Sequence, residues 1–193
     1  YNISADVTVV DGVTLEIQNN VTVMFNGTYY LLVEGTMYVN GTADQPVVFT
    51  NNASLGYVGG IEYADGSSGS IPYAEISHVL YAVNIKNATI PCSNLLIDDA
   101  LNYALYFDFF NVQQDVVLSL MDITITNSGT ALYANNDNGT LDINLVRFQT
   151  DGTITVAYLS AYGADDTGAV SLRIHDSVLR STTDGIWIDA KNV

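Results

Sequence analysis

The chain has 193 residues, 48% of them hydrophobic, with a mean hydropathy of +0.21, so a sizeable core is within reach and disorder is not the expected state. Five cations stand against 21 carboxylates, a net charge of −16, which excludes nucleic acid and disfavours anionic lipid and acidic polysaccharide as partners. A single cysteine, Cys92, excludes a disulfide framework, and no apolar run approaches the ~18 residues of a membrane span.

Strand-like pattern begins within about six residues of Tyr1. No charged segment followed by an apolar run opens the chain, so any export signal is expected to have been removed. Residues 21–41, VTVMFNGTYYLLVEGTMYVNG, hold three short runs of β-branched and aromatic residues cut by glycine-containing corners. Asn-Gly between alternating runs is ordinarily a hairpin signal and points to an antiparallel sandwich. The later part of the chain points elsewhere.

There, a long-period repeat emerges. Ile90, Cys92 and Ile97 precede Ala104-Leu105-Tyr106-Phe107; Leu118, Leu120 and Ile125 precede Ala131-Leu132-Tyr133-Ala134. Leu141, Ile143 and Phe148 precede Ala157-Tyr158-Leu159-Ser160, and Leu172, Ile174 and Leu179 precede Gly185-Ile186-Trp187-Ile188. A degenerate earlier copy runs Ile71, Ile76, then Ala82-Val83-Asn84-Ile85. Hairpins do not build such a unit. It fits three short strands and three corners per turn, each coil stacked in parallel on the last. The expected fold is therefore all-β, a right-handed parallel β-helix of seven to eight coils, the hand following from the crossover preference. It forms one domain over residues 1–193, or a segment of a longer solenoid. The early corners become bends of one coil, where Asn and Gly serve because both tolerate left-handed backbone. Leu120, Ile143 and Ile174 are expected to share one inward column.

Residues 5–52, with Gly12–Leu15, Val21–Phe25, Leu31 or Leu32 to Gly35, and Gly41–Thr50, resemble the opening coils of right-handed parallel β-helix surface proteins. Residues 173–188, RIHDSVLRSTTDGIWI, resemble the carbohydrate-binding and sugar-hydrolase type of β-helix repeat. The resemblance implies the fold; it leaves lyases, hydrolases, adhesins and inert scaffolds open as functions. The cation-poor, Tyr/Asn/Thr-rich style also resembles archaeal surface glycoproteins.

Acceptor triplets for N-glycosylation begin at Asn2, Asn20, Asn26, Asn40, Asn52, Asn87 and Asn138. Chance would give about three, and Asn20, Asn52 and Asn87 lack the glycine that turn chemistry alone would favour. An exported protein carrying covalent N-glycans is expected, located extracellularly at a cell surface.

Catalytic constellations are harder to find. Asp98 and Asp99, and Asp165 and Asp166, are adjacent pairs, and adjacent carboxylates in a strand point to opposite faces. His78 and His175 are isolated, the latter expected on the surface. The stretch Asn135 to Gly139 fails the EF-hand pattern, with Ala134 and Leu145 at its end positions; adventitious calcium at acidic corners is left open. The expectation is no enzyme, no cofactor and no resident metal.

Two features remain. Alternation places Ile61, Val83, Leu105, Leu132, Tyr158 and Ile186 inward and Glu62, Asn84, Tyr106, Tyr133, Leu159 and Trp187 outward, so Tyr106, Tyr133 and Trp187 form a broken exterior ladder suited to sugar or a partner protein. The terminal strands, with Val7 and Val9 at one end and Ile186 and Ile188 at the other, carry no blocking charge or proline and are expected to make assembly contacts between copies, head to tail. The leading expectation is a glycosylated structural subunit of a surface filament, sheath or layer. A carbohydrate-binding module or adhesin comes second, a polysaccharide lyase or hydrolase third.

Overall fold

The computed structural model describes residues 1–51, 56–57, 59–110, 115–137, 139–162 and 168–190. These residues contain no helix. The first coil comprises β1 (Asn2–Ile3), β2 (Val7–Val9) and β3 (Thr14–Gln18), and the second β4 (Thr22–Phe25), β5 (Tyr30–Val33) and β6 (Thr36–Asn40). Then come β7 (Val47–Asn51), β8 (Gly60–Tyr63), β9 (Ser68–Lys86), β10 (Cys92–Phe109), β11 (Val116–Thr126), β12 (Thr130–Asn136), β13 (Leu141–Ala161), β14 (Val170–His175) and β15 (Val178–Ala190).

Every pairing is parallel, and each strand pairs with its equivalent one coil on. The result is a β-solenoid of about seven turns. The hairpin reading of the early corners is thereby excluded: β4, β5 and β6 pair with β7, β8 and β9, not with one another. The first face runs through β1, β4 and β7, the second through β2, β5 and β8, the third through β3 and β6. From β9 onward the longer strands bend around corners and contribute to more than one face.

Those bends have a common backbone device. Tyr73, Asn94, Asp122, Arg147 and Asp176 follow in-register residues on successive coils, and all have φ between 49° and 57°. A second column, His78, Asp99, Asn127 and Gly152, does the same at the next corner, with φ of 50–66°. Left-handed backbone turns the chain sharply while equivalent strands stay in register. For non-glycine residues it costs roughly 1–2 kcal/mol each, so neighbouring coils must hold it in place. Arg147 and Asp122 show how: the guanidinium donates from Nε and Nη2 to the two carboxylate oxygens at 2.5 and 2.6 Å, corner to corner. Asn and Gly fill only part of these columns. In the Asn-Gly-Thr corners, Gly27 has φ 151°, whereas Gly41 is required by space, since a Cβ there would collide with the Tyr73 carbonyl.

Inward side chains stack in columns. Phe49, Ile76, Ile97, Ile125 and Thr150 form one, all at most 2% exposed. Thr150 is accommodated because its hydroxyl donates to the Arg180 carbonyl and accepts from the Arg180 N–H, both at 2.9 Å. The expected column of Leu120, Ile143 and Ile174 is corrected by the register. Leu120 aligns with Leu145 and Ile174, while Ile143 aligns with Leu118 and Leu172, a slip of two residues that preserves the inward face. Ile174, on the last described layer, is 42% exposed rather than buried.

Candidate functional site

The second face carries stacked aromatic rings and hydrogen-bonded polar side chains on its exterior. Its inward column is Ile61, Val83, Leu105, Leu132, Ala157 and Ile186, and its outward column is Glu62, Asn84, Tyr106, Tyr133, Tyr158 and Trp187. The expected assignment of Tyr158 inward and Leu159 outward is thus corrected by one residue. Ala157 lies inward in register with Leu132, and Val156 fills the place that Ala131 holds one coil below.

With Tyr158 restored, the aromatic ladder is continuous. Tyr106 and Tyr133 stack at 4.5 Å between centroids and 5° between planes, Tyr133 and Tyr158 at 5.5 Å and 4°, Tyr158 and Trp187 at 6.4 Å and 14°. Tyr81 and Tyr103, stacked at 5.7 Å, extend it sideways, with Tyr103 edge-on to Tyr106 and Tyr133. Sequence alternation missed both, because β10 shifts register against β9 between Ala100 and Tyr103 and breaks the two-residue rhythm. Most ring faces are covered by neighbouring rings, and Trp187, 59% exposed, is the most open member. Tyr103, Thr130, Tyr133, Thr155, Tyr158, Asp184 and Trp187 line a shallow trough of about 370 Å³ beside the ladder.

A polar column flanks the rings. Asn135 donates to Asp108 at 3.0 Å and to Asp137 at 2.8 Å, and Ser160 donates to Asn135 at 2.6 Å. The Tyr106 hydroxyl donates to Asp108 at 3.4 Å. Burial and then the Asp108 charge raise the Tyr106 and Tyr133 phenols above their ordinary value. Lower on the face, Glu62 accepts from Lys86 at 2.7 Å and from Asn84 at 3.0 Å.

The other candidate residues are scattered. Asp98 accepts from Thr126 and Asn127 at 2.6 and 2.9 Å, and Asp99 accepts from Tyr57 at 2.7 Å with His78 at 3.7 Å. Both carboxylates are engaged in holding corners, and Asp165 and Asp166 lie outside the described residues. His175 is exposed. Cys92 is buried, its thiol pushed up to about 12 by desolvation. Among the described residues no group of three or more His, Cys, Asp or Glu could hold a metal ion.

Of the glycan acceptors, Asn2, Asn20 and Asn40 are exposed, and Asn26 and Asn87 are half-buried; Asn52 and Asn138 lie outside the described residues. Asn20 and Asn87 sit at left-handed bends, φ 60° and 47°, and the Asn87 side-chain oxygen is buried without a partner among the described residues. Of the end positions, Val7 is 41%, Ile186 38% and Ile188 37% exposed, while Val9 is 5% exposed.

Comparison with protein-family models, with curated proteins and with solved structures gives no match to this chain.

Proposed function

We propose that the protein is an extracellular, N-glycosylated structural solenoid, a stiff building block of a surface filament, sheath or layer rather than an enzyme. The observation that carries this reading is how the exterior of the second face is used. Its aromatic rings cover one another from coil to coil, and its polar side chains hydrogen-bond to the coils above and below. Side chains spent on coil-to-coil contact stiffen a rod. The accessible acceptor triplets at Asn2, Asn20 and Asn40 fit a glycan coat on the same rod.

In this reading copies add head to tail, the Val7–Val9 strand of one meeting the strand that carries Ile186 and Ile188 of another, because a parallel coil edge demands a parallel strand. An archaeal cell surface is the setting that the sequence style suggests. Mass spectrometry of native material should find glycan on Asn2, Asn20 and Asn40, with less on Asn87, and negative-stain images should show rods longer than one subunit. Unmodified peptides at all described acceptors together with monodisperse single rods would sink the proposal.

A second reading, carbohydrate binding by an adhesin-like module, is favoured by one feature: the trough beside the ladder joins phenols, threonines and Asp184 to the open face of Trp187. Glycan-array binding that is lost in Trp187→Ala would favour this second reading over the first.

A further inference from the structure

Tyr106 and Tyr133 occupy the same position on adjacent coils, their rings 4.5 Å apart and 5° from parallel. Among the described aromatic contacts this is the shortest. Asp108, on the same face, accepts the Tyr106 hydroxyl at 3.4 Å and is held by Asn135 at 3.0 Å. Its charge acts on both phenols. We infer that this pair is an oxidative cross-linking site, where a one-electron oxidant joins the two rings into a dityrosine staple between coils.

The chemistry closes with hydrogen peroxide acting through a haem peroxidase as the oxidant class. Each phenol gives up one electron and its phenolic proton, that of Tyr106 leaving toward Asp108, to yield two phenoxyl radicals. The radicals couple through a carbon–carbon bond between ring positions ortho to the oxygens. The two ring hydrogens then move to the oxygens and restore aromaticity. The chain has lost two hydrogens, and the peroxide has become two waters. Facing rings at stacking distance keep the radical carbons adjacent, so coupling within the pair outruns encounter with another chain. Neither glycosylation nor assembly is required, so the inference stands apart from the scaffold reading, although a covalent tie between coils would suit such a scaffold.

The competing tyrosines set the controls. Tyr133 and Tyr158 stack parallel but at 5.5 Å, and Tyr1, Tyr38 and Tyr57 are 87%, 41% and 40% exposed, which leaves their rings open to other chains. The full chain, dilute, is treated with a haem peroxidase and limiting hydrogen peroxide, then followed by dityrosine fluorescence, intact mass and peptide mapping. The expected product is a monomer lighter by two hydrogens, with the peptides bearing Tyr106 and Tyr133 joined. Tyr106→Phe and Tyr133→Phe each keep a ring in the stack but remove the oxygen, and each should abolish most of this product while circular dichroism stays unchanged. Tyr158→Phe should leave it in place, and Asp108→Asn should slow its formation. Cross-links confined to Tyr1, Tyr38 or Tyr57 between chains, or an intrachain product that persists in Tyr106→Phe, would overturn the inference.

Discussion

Leu132→Ala tests the inward column of the second face most directly. Leu132 is fully buried, stacked between Leu105 on one coil and Ala157 on the next. Truncating a core leucine costs about 2–5 kcal/mol, depending on how far the surroundings collapse into the space. Here the Ala157 side offers only a methyl group, and backbone pairing on both sides fixes the coil spacing. Little collapse is available, which places the cost in the upper part of the range, roughly 3–5 kcal/mol. For a chain of this size each kcal/mol moves the melting temperature by about 2–4 °C, so a drop of roughly 6–20 °C is expected. Ile186→Ala is the internal control, the same column at its 38% exposed end. Its cost should stay below about 2 kcal/mol. Thermal and urea melts by circular dichroism read both, with coincidence of the two transitions checked because stacked repeats can unfold in parts. If Leu132→Ala melts no lower than Ile186→Ala, the column as described is wrong.

Other outcomes follow from the same geometry. Hydrogen bonds from the Thr140 hydroxyl, from Arg147 and from Arg173 hold Asp115, Asp122 and Asp142 below the usual carboxylate range. Depressed folded values mean stability that is present above the unfolded value of about 3.9 and is lost as pH falls through the folded one, so the melting temperature should decline on acidification below about pH 4, and less so in Asp122→Asn with Asp142→Asn. Cys92, buried with its thiol pushed up to about 12, should ignore a thiol reagent at neutral pH until the fold is opened by denaturant. The Tyr162 phenol, which donates to Asp189 at 2.5 Å, is pushed up to about 12, and in an ultraviolet titration Asp189→Asn should bring one late-ionising tyrosine back toward the others. Gly60→Ala should destabilise, because φ is +146° and the added methyl would fall on the Tyr81 carbonyl.

The solenoid was legible because stacking converts a three-dimensional repeat into a one-dimensional one. Leu105 and Leu132, 27 residues apart in the chain, are in-register neighbours in the fold. What misled was local. Ala157 resembles the small residues at 104 and 131, but register follows the inward leucine column, and the one-residue error hid Tyr158 from the ladder. Tyr103 and Tyr81 were hidden by the irregularity after Ala100, where two-residue alternation stops predicting facing. The corner columns were only half visible. Asn and Asp announce left-handed bends, but Tyr73, His78 and Arg147 adopt the same backbone with side chains that give no local warning, so position in the stack decides. The acceptor triplets were visible from the start, and the fold adds their accessibility, which ranks Asn2, Asn20 and Asn40 ahead of Asn26 and Asn87.

Register that repeats from coil to coil also makes the molecule a ruler. Thr130, Leu132 and Tyr133 meet Thr155, Ala157 and Tyr158 one layer on, so a duplicated unit spanning residues 130–154 would present the same groups to the same neighbours. Such an insertion would advance the stack by about 4.8 Å and shift everything beyond it as a block, without reopening any existing layer. Length can therefore change in whole steps at little cost in fit, a freedom denied to a closed barrel, whose strand number and diameter are bound together.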